Sequence, residues 1–254
     1  MVINHQNMDY YLERIKNNQH YSIAGFSDAE WFSMIGHRLR GLTGLGQRID
    51  ESTGIRLTDV LKRRQHDSDF LFAIPDVVIN GEYFVTSGIA KRINKHIEKN
   101  EIHTEWFERD VVTDYLAEFG RMYPFIKQLQ KMNVAIIGNK HLRGLGFLAY
   151  KHFTEISSPN LHLEYNGIER AVEDAQNYGQ PGVYLVSAGV SAALIIDQLH
   201  GTISDSWFID TASIWDAFVG VGEQREWRKT LYADPKKYTE WLNANLHGTE
   251  YKKS

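Results

Sequence analysis

Two carboxylates one residue apart, Asp28 and Glu30, stand where an apolar run stops and an amphipathic one begins, in "YSIAGFSDAEWFSMIG" (21–36). Such acids hold hard divalent cations, Mg²⁺ or Mn²⁺, when one or two of them act together with the phosphates of a substrate. At positions i and i+2 they face one side of an extended chain and diverge on a regular helix. The same stretch also reads as punctuation, because Ser27-x-x-Glu30 matches a capping box. Both readings hold together if one carboxylate caps the helix while the other faces a ligand.

Three further stretches could join them. "VYLVSAGVSAALII" sets Ser187, Gly189 and Ser191 between a strand and a helix. Backbone N–H groups at such a joint hold phosphate, or the joint is an ordinary turn capped by Ser191. "IIGNKHLRGLG" brings Lys140, His141 and Arg143 to a strand end, where they either neutralise a diphosphate or form a solvated basic helix start. Asp210 closes "SWFID"; it can orient a sugar hydroxyl or act on an acceptor, or cap the turn with Ser213 and Asp216. The sequence has no G-x-G-x-x-G fingerprint, no P-loop, no H-E-x-x-H and no G-x-S-x-G elbow, so dinucleotide, P-loop, zinc-protease and serine-hydrolase chemistry lose support.

The elements that must position these residues follow from periodicity. Apolar runs at 21–26, 69–75, 133–139 and 182–189 read as buried strands, and 205–213 as a last strand and turn. Helical patterns fall at 9–19, 28–39, 54–67, 87–100, 110–131 with an interruption near Gly120 or Pro124, 142–153, 167–179, 190–201 and 235–248. The Gly-rich, polar stretch 40–54 reads as a loop, and 157–166 as a loop or short strand. Alternating strands and helices predict an α/β domain over 1–254, a mainly parallel open sheet with helices on both faces, Rossmann-like in layout. Ligands of such sheets sit beyond the carboxyl ends of the strands, where every residue named above falls.

The 254 residues, 43% hydrophobic, suffice for a sizeable core. The absence of cysteine excludes disulfides, thiolate nucleophiles and Cys-held metals. A net charge of -4 supplies no global pull toward nucleic acid. The polar start, with no signal-peptide core, and the lack of any membrane-length apolar run predict a cytoplasmic protein, in a bacterial cell or a phage-infected host.

Taken together, "YSIAGFSDAEW", "LFAIPD", "VAIIGNKHLRGLG", "VYLVSAGVSA" and "FIDTASIWDAF" resemble the GT-D-type glycosyltransferases, in the right order along most of the chain. That family carries an aromatic-Gly-Asp-Gly-Glu signature at the end of its first strand. The resemblance implies that Asp28 and Glu30 serve a metal (Mn²⁺ or Mg²⁺) and the diphosphate of a nucleotide sugar, a UDP-sugar. Gly25, Ser27 and Ala29 stand where the family often has Arg, Gly and Gly; Lys140, Arg143 and Arg38 are the candidates to replace that Arg. The implied contacts are Gly25, Ser27, Lys140, Arg143, Ser187, Gly189 and Ser191 for the donor and its phosphates, with Asp28, Glu30 and Asp210 catalytic.

The acceptor implied is a hydroxyl of a glycan or glycoprotein, or a hydroxymethylated base in phage DNA. The basic stretches "GHRLRGLTGLGQR", "LKRRQH" and "AKRINKHIEK" favour DNA if they share one face beside the strand ends. Two other functions use the same residues: a metal-dependent phosphate-ester hydrolase or nucleotidyl enzyme, and a non-catalytic nucleotide- or nucleic-acid-binding module. Oligomeric state does not follow from the sequence.

Overall fold

The computed structural model describes residues 3–37, 50–108, 114–157, 160–222 and 225–253. In chain order the elements are β1 (Ile3–Asn4), α1 (Met8–Lys16), β2 (Ser22–Gly25), α2 (Asp28–Met34), α3 (Glu51–Arg64), β3 (Phe70–Ile74), α4 (Asp76–Asn80), α5 (Glu82–Thr86) and α6 (Ile89–Lys99). Then come β4 (Trp106–Glu108), α7 (Asp114–Glu118), α8 (Tyr123–Leu129), β5 (Val134–Asn139), β6 (His152–Ile156), α9 (Gly167–Tyr178), β7 (Gly182–Ser187), α10 (Ser191–Leu199), β8 (Ser206–Asp210), α11 (Glu226–Tyr232) and α12 (Pro235–His247). The strands form one sheet in the order β1-β4-β3-β2-β8-β7-β5-β6, and every pair is parallel.

Parallel strands buried on both faces must be apolar on both sides, and the burial of β2, β3, β7 and β8 follows that rule. Alternate residues divide between two cores. Ala24, Phe72, Tyr184 and Phe208 pack with α2, α3, α6, α9 and α10. Ile23, Leu71, Leu185 and Ile209 pack with α1, α7, α8, α11 and α12. The chain crosses over the first face each time it steps toward the β1 edge (β2 to β3 to β4, and β6 to β7 to β8). It crosses over the second face each time it steps the other way (β1 to β2, β4 to β5, β5 to β6). One handedness of crossover therefore accounts for which helix lies on which face.

Several expected boundaries change. The helix expected over 142–153 is two 3-10 turns, Lys140–Gly144 and Gly146–Leu148, followed by β6. Gly144 and Gly146 weaken a helix there, Ala149 turns left-handed at φ +49, and "HFTEI" then lies along β5. The loop expected over 40–54 gives way to α3 at Glu51, because Asp50 caps the helix by accepting the Thr53 N–H at 3.1 Å; residues 40–49 lie outside the described residues. The helix expected over 28–39 ends at Met34, and 38–39 lie outside the described residues. The pattern at 110–131 is two helices, α7 and α8, parted around Gly120 with Pro124 in the first turn of α8; residues 110–113 lie outside the described residues. The stretch 157–166 holds a 3-10 turn, Leu161–Leu163.

Candidate functional site

The joint between β2 and α2 is built to project its acids. Phe26 continues the strand, donating its N–H to the Ala73 carbonyl at 2.7 Å, and its ring is sealed among Trp31, Phe72 and Trp106. Ser27 is extended and opens the helix with a capping box; Glu30 accepts the Ser27 N–H at 2.8 Å. Asp28 accepts the Ala29 N–H at 2.9 Å and is half-buried. Trp31, Phe32 and Met34 bury the opposite face of α2. Gly54 of α3 lets the two helices touch backbone to backbone: a Cβ there would lie 2.2 Å from the Ser33 carbonyl oxygen.

Asp28 and Glu30 open onto a cavity of about 360 Å³ at the carboxyl ends of the central strands, within the size range of small-ligand sites. Ser27 to Glu30 form one wall. Asn139 and His141 enter from the end of β5, and Ser187 to Gly189 from the end of β7. Ser213 and Asp216 enter from the segment after β8, and Gly222 and Arg225 from the approach to α11. Gly189 adopts φ +56, which turns the chain from β7 into α10.

Within the cavity His141 and Asp216 form a pair, Nε2 to Oδ1, at 2.8 Å. Asp216 is backed by the fully buried Arg228 at 3.6 Å, which also donates to the Ser213 carbonyl at 2.6 Å and to its hydroxyl at 3.2 Å. The Asp216 carboxylate is thus held from behind by a guanidinium and meets an imidazole in front. Ser187 shares a hydrogen bond with Thr211 at 2.9 Å.

Of the residues expected from the sequence, Ser27, Asp28, Glu30, Ser187 and Gly189 line this cavity. The others do other things. Asp210 is buried, with one oxygen accepting the Gly25 N–H at 3.0 Å and the other the Ala212 N–H at 2.8 Å. Ser191 is buried beneath the turn, 3.5 Å from His162. Lys140 is exposed outside the lining. Arg143 lies 3.2 Å from Glu155 and stacks over the Phe153 ring at 4.4 Å. Arg38 lies outside the described residues. Among the described lining residues the basic side chains are His141 and Arg225. Asn139, Asp216 and Arg225 carried no site expectation, although Asn139 ends β5 and Asp216 stands in the turn that follows β8, which is the signal that marks them.

The oxygen donors facing the cavity, Asp28, Glu30, Asp216 and Asn139, suit a hard divalent cation held partly by substrate phosphates. Among the described residues they do not close into a three-ligand cluster; the group that does is His5, Asp76 and Glu108, elsewhere on the sheet.

No protein-family model matches the chain. No curated protein matches it. Solved structures do match. Two are of the domain of unknown function 1792: a selenomethionine-substituted structure (TM-score 0.56) and one with a distinct glycosyltransferase fold (TM-score 0.57). Each is 17% identical, over 99% of this chain and 92% of the other. A third, a glycosyltransferase (DUF1792) from Streptococcus sanguinis, matches at TM-score 0.57 and 12% identity, over 100% of this chain and 96% of that one. The all-parallel eight-stranded sheet of this chain, with helices on both faces, is therefore similar in fold to a structure described as a distinct glycosyltransferase fold.

Proposed function

We propose that this chain is a metal-dependent glycosyltransferase that moves a sugar from a nucleotide-diphosphate sugar, of the UDP type, to a hydroxyl of a glycan or protein. The observation that carries the reading is the cavity itself: Asp28 and Glu30 on one wall, the Ser187–Gly189 turn and Arg225 around it, and the His141–Asp216 pair within it. Sugar transfer develops negative charge on the departing diphosphate and requires a proton to leave the acceptor hydroxyl. A divalent cation, when bound, neutralises part of that charge. Asp28 and Glu30 would hold it. Arg225 and the backbone at Gly189 contact the phosphates. His141, oriented through Nε2 by Asp216, takes the acceptor proton at its other ring nitrogen.

The described basic residues support a glycan or protein acceptor over DNA. Arg63 and Arg64 lie at the end of α3 that leads into β3, opposite the cavity, and both pair with Asp197. The exposed Lys91, Lys95 and Lys99 of α6 do not line the cavity.

The test is a thermal-shift panel of nucleotide sugars with and without Mn²⁺, followed by product analysis. A donor at a hundred times its dissociation constant should stabilise the chain by roughly 2.7 kcal/mol, and the turnover product should be nucleoside diphosphate. Asp28→Asn should abolish both the Mn²⁺-dependent shift and turnover. Release of inorganic phosphate would point to an ester hydrolase, binding without turnover to a binding module, and steeply salt-dependent turnover on DNA to a nucleic-acid acceptor. Each of these outcomes would displace the reading.

A further inference from the structure

The parallel register of the β1 edge brings three potential metal ligands together, well apart in sequence. Asn4 pairs with Phe107, and Ile74 pairs with Glu108. His5 therefore leaves β1 beside Glu108, the last residue of β4, and Asp76 follows β3 on the other side of it. One donor atom from each of His5, Asp76 and Glu108 lies within 4.8 Å of the other two, and His5 Nδ1 is 3.6 Å from Glu108 Oε2. Tetrahedral zinc at about 2.0–2.1 Å from its ligands sets neighbouring ligand atoms roughly 3.3–3.4 Å apart, so small side-chain shifts would close the group.

The surroundings resemble a prepared site. Glu108 is buried, and its other oxygen accepts the Asp76 N–H at 3.2 Å, which leaves Oε2 turned to His5. Asp76 is itself oriented, one oxygen accepting from the Asn80 amide at 2.6 Å. Such outer contacts fix ligand carboxylates in metal sites.

We propose that His5, Asp76 and Glu108 form a second divalent-metal site, separate from the cavity, that takes Zn²⁺. The imidazole favours zinc over Mg²⁺ or Ca²⁺, which take oxygen donors, and the exposed side of His5 leaves a position for water. None of the three residues lines the cavity. A bound ion would tie the two-residue strand β1 to the ends of β4 and β3.

The probes are Zn²⁺ and Co²⁺ alone, added to the full chain after chelator treatment. Zn²⁺ should bind saturably in calorimetry and raise Tm, and Co²⁺ should give the intense visible bands of four-coordinate cobalt. His5→Ala, at an exposed position, should weaken Zn²⁺ binding roughly a hundredfold or more and remove the cobalt bands. Asp28→Asn should leave both intact. Absence of saturable Zn²⁺ binding would overturn the proposal. So would unchanged binding in His5→Ala, or loss of binding in Asp28→Asn alone.

Discussion

Glu30 answers two demands with one carboxylate. One oxygen accepts the Ser27 N–H and completes the helix cap, while the side chain also lines the cavity. The two roles separate by substitution. Glu30→Gln keeps an acceptor at the third helical position, which the capping box tolerates, so stability measured by urea unfolding should change by no more than about 0.5 kcal/mol, while sugar transfer falls by about 10² or more. Glu30→Ala removes the cap as well and should cost about 1 kcal/mol. Equal turnover in Glu30→Gln and the parent would leave the residue as a cap alone. Asp28 and Glu30 were readable because their chemistry and their place after a strand coincide. His141 and Asp216 stand in two other stretches, after β5 and after β8, and the meeting of those strand ends across β7 that pairs them at 2.8 Å is a property of the sheet order.

Elements carry the acids by their packing. α2 has only seven residues, so its direction depends on α3, and the closest approach is at Gly54. A methyl group there would meet the Ser33 carbonyl at 2.2 Å. Gly54→Ala should destabilise the chain by about 1–3 kcal/mol, as overpacking does, and should weaken donor binding by tilting Asp28; a chemical melt and a thermal-shift titration read the two effects.

The other flank of α3 touches α6, where Thr58 Oγ1 lies 3.0 Å from His96 Nε2. Burial, with Lys99 and Lys62 nearby, holds the His96 imidazolium below its ordinary value of 6.5. The unfolded chain therefore binds this proton more readily than the folded one, and stability contributed by neutral His96 is present above about pH 6.5 and lost as pH falls through and below it. Unfolding free energies at pH 7.5 and 5.5 should differ less in His96→Gln than in the parent. The long periodic helices α9, α10 and α12 were legible for the reason that periodicity accumulates over turns. β1 and β4, of two and three residues, are too short to show any, and β6 was masked by the glycine-spaced apolar residues that precede it.

Across the whole molecule, five strands with helical connections were enough to read a parallel α/β sheet, and the structure extends it to eight strands with each crossover on the face that its direction requires. The strand order could not be read, because it depends on which edge each connection reaches. That order makes β2 and β8 the meeting line of two half-sheets. Their ladder spans two residue pairs, Ser22 with Phe208 and Ile23 with Ile209, against four between β2 and β3 and five between β7 and β8. Asp210 takes over at the end of that short ladder through the Gly25 N–H. Asp210→Asn would turn an amide N–H₂ toward one of two backbone donors, and should cost about 1–3 kcal/mol in a denaturant melt, with the loss seen in the ligand-free chain.

No helix among the described residues is long and apolar enough to cross a membrane. The short β2–β8 ladder has a mechanical consequence. The sheet has a crease where its two panels meet over only two residue pairs, and the cavity opens above it, with Asp28 riding on one panel and His141 on the other. Any molecule gripping both sides would act as a clasp across the fold line, so occupancy and panel angle would be one variable.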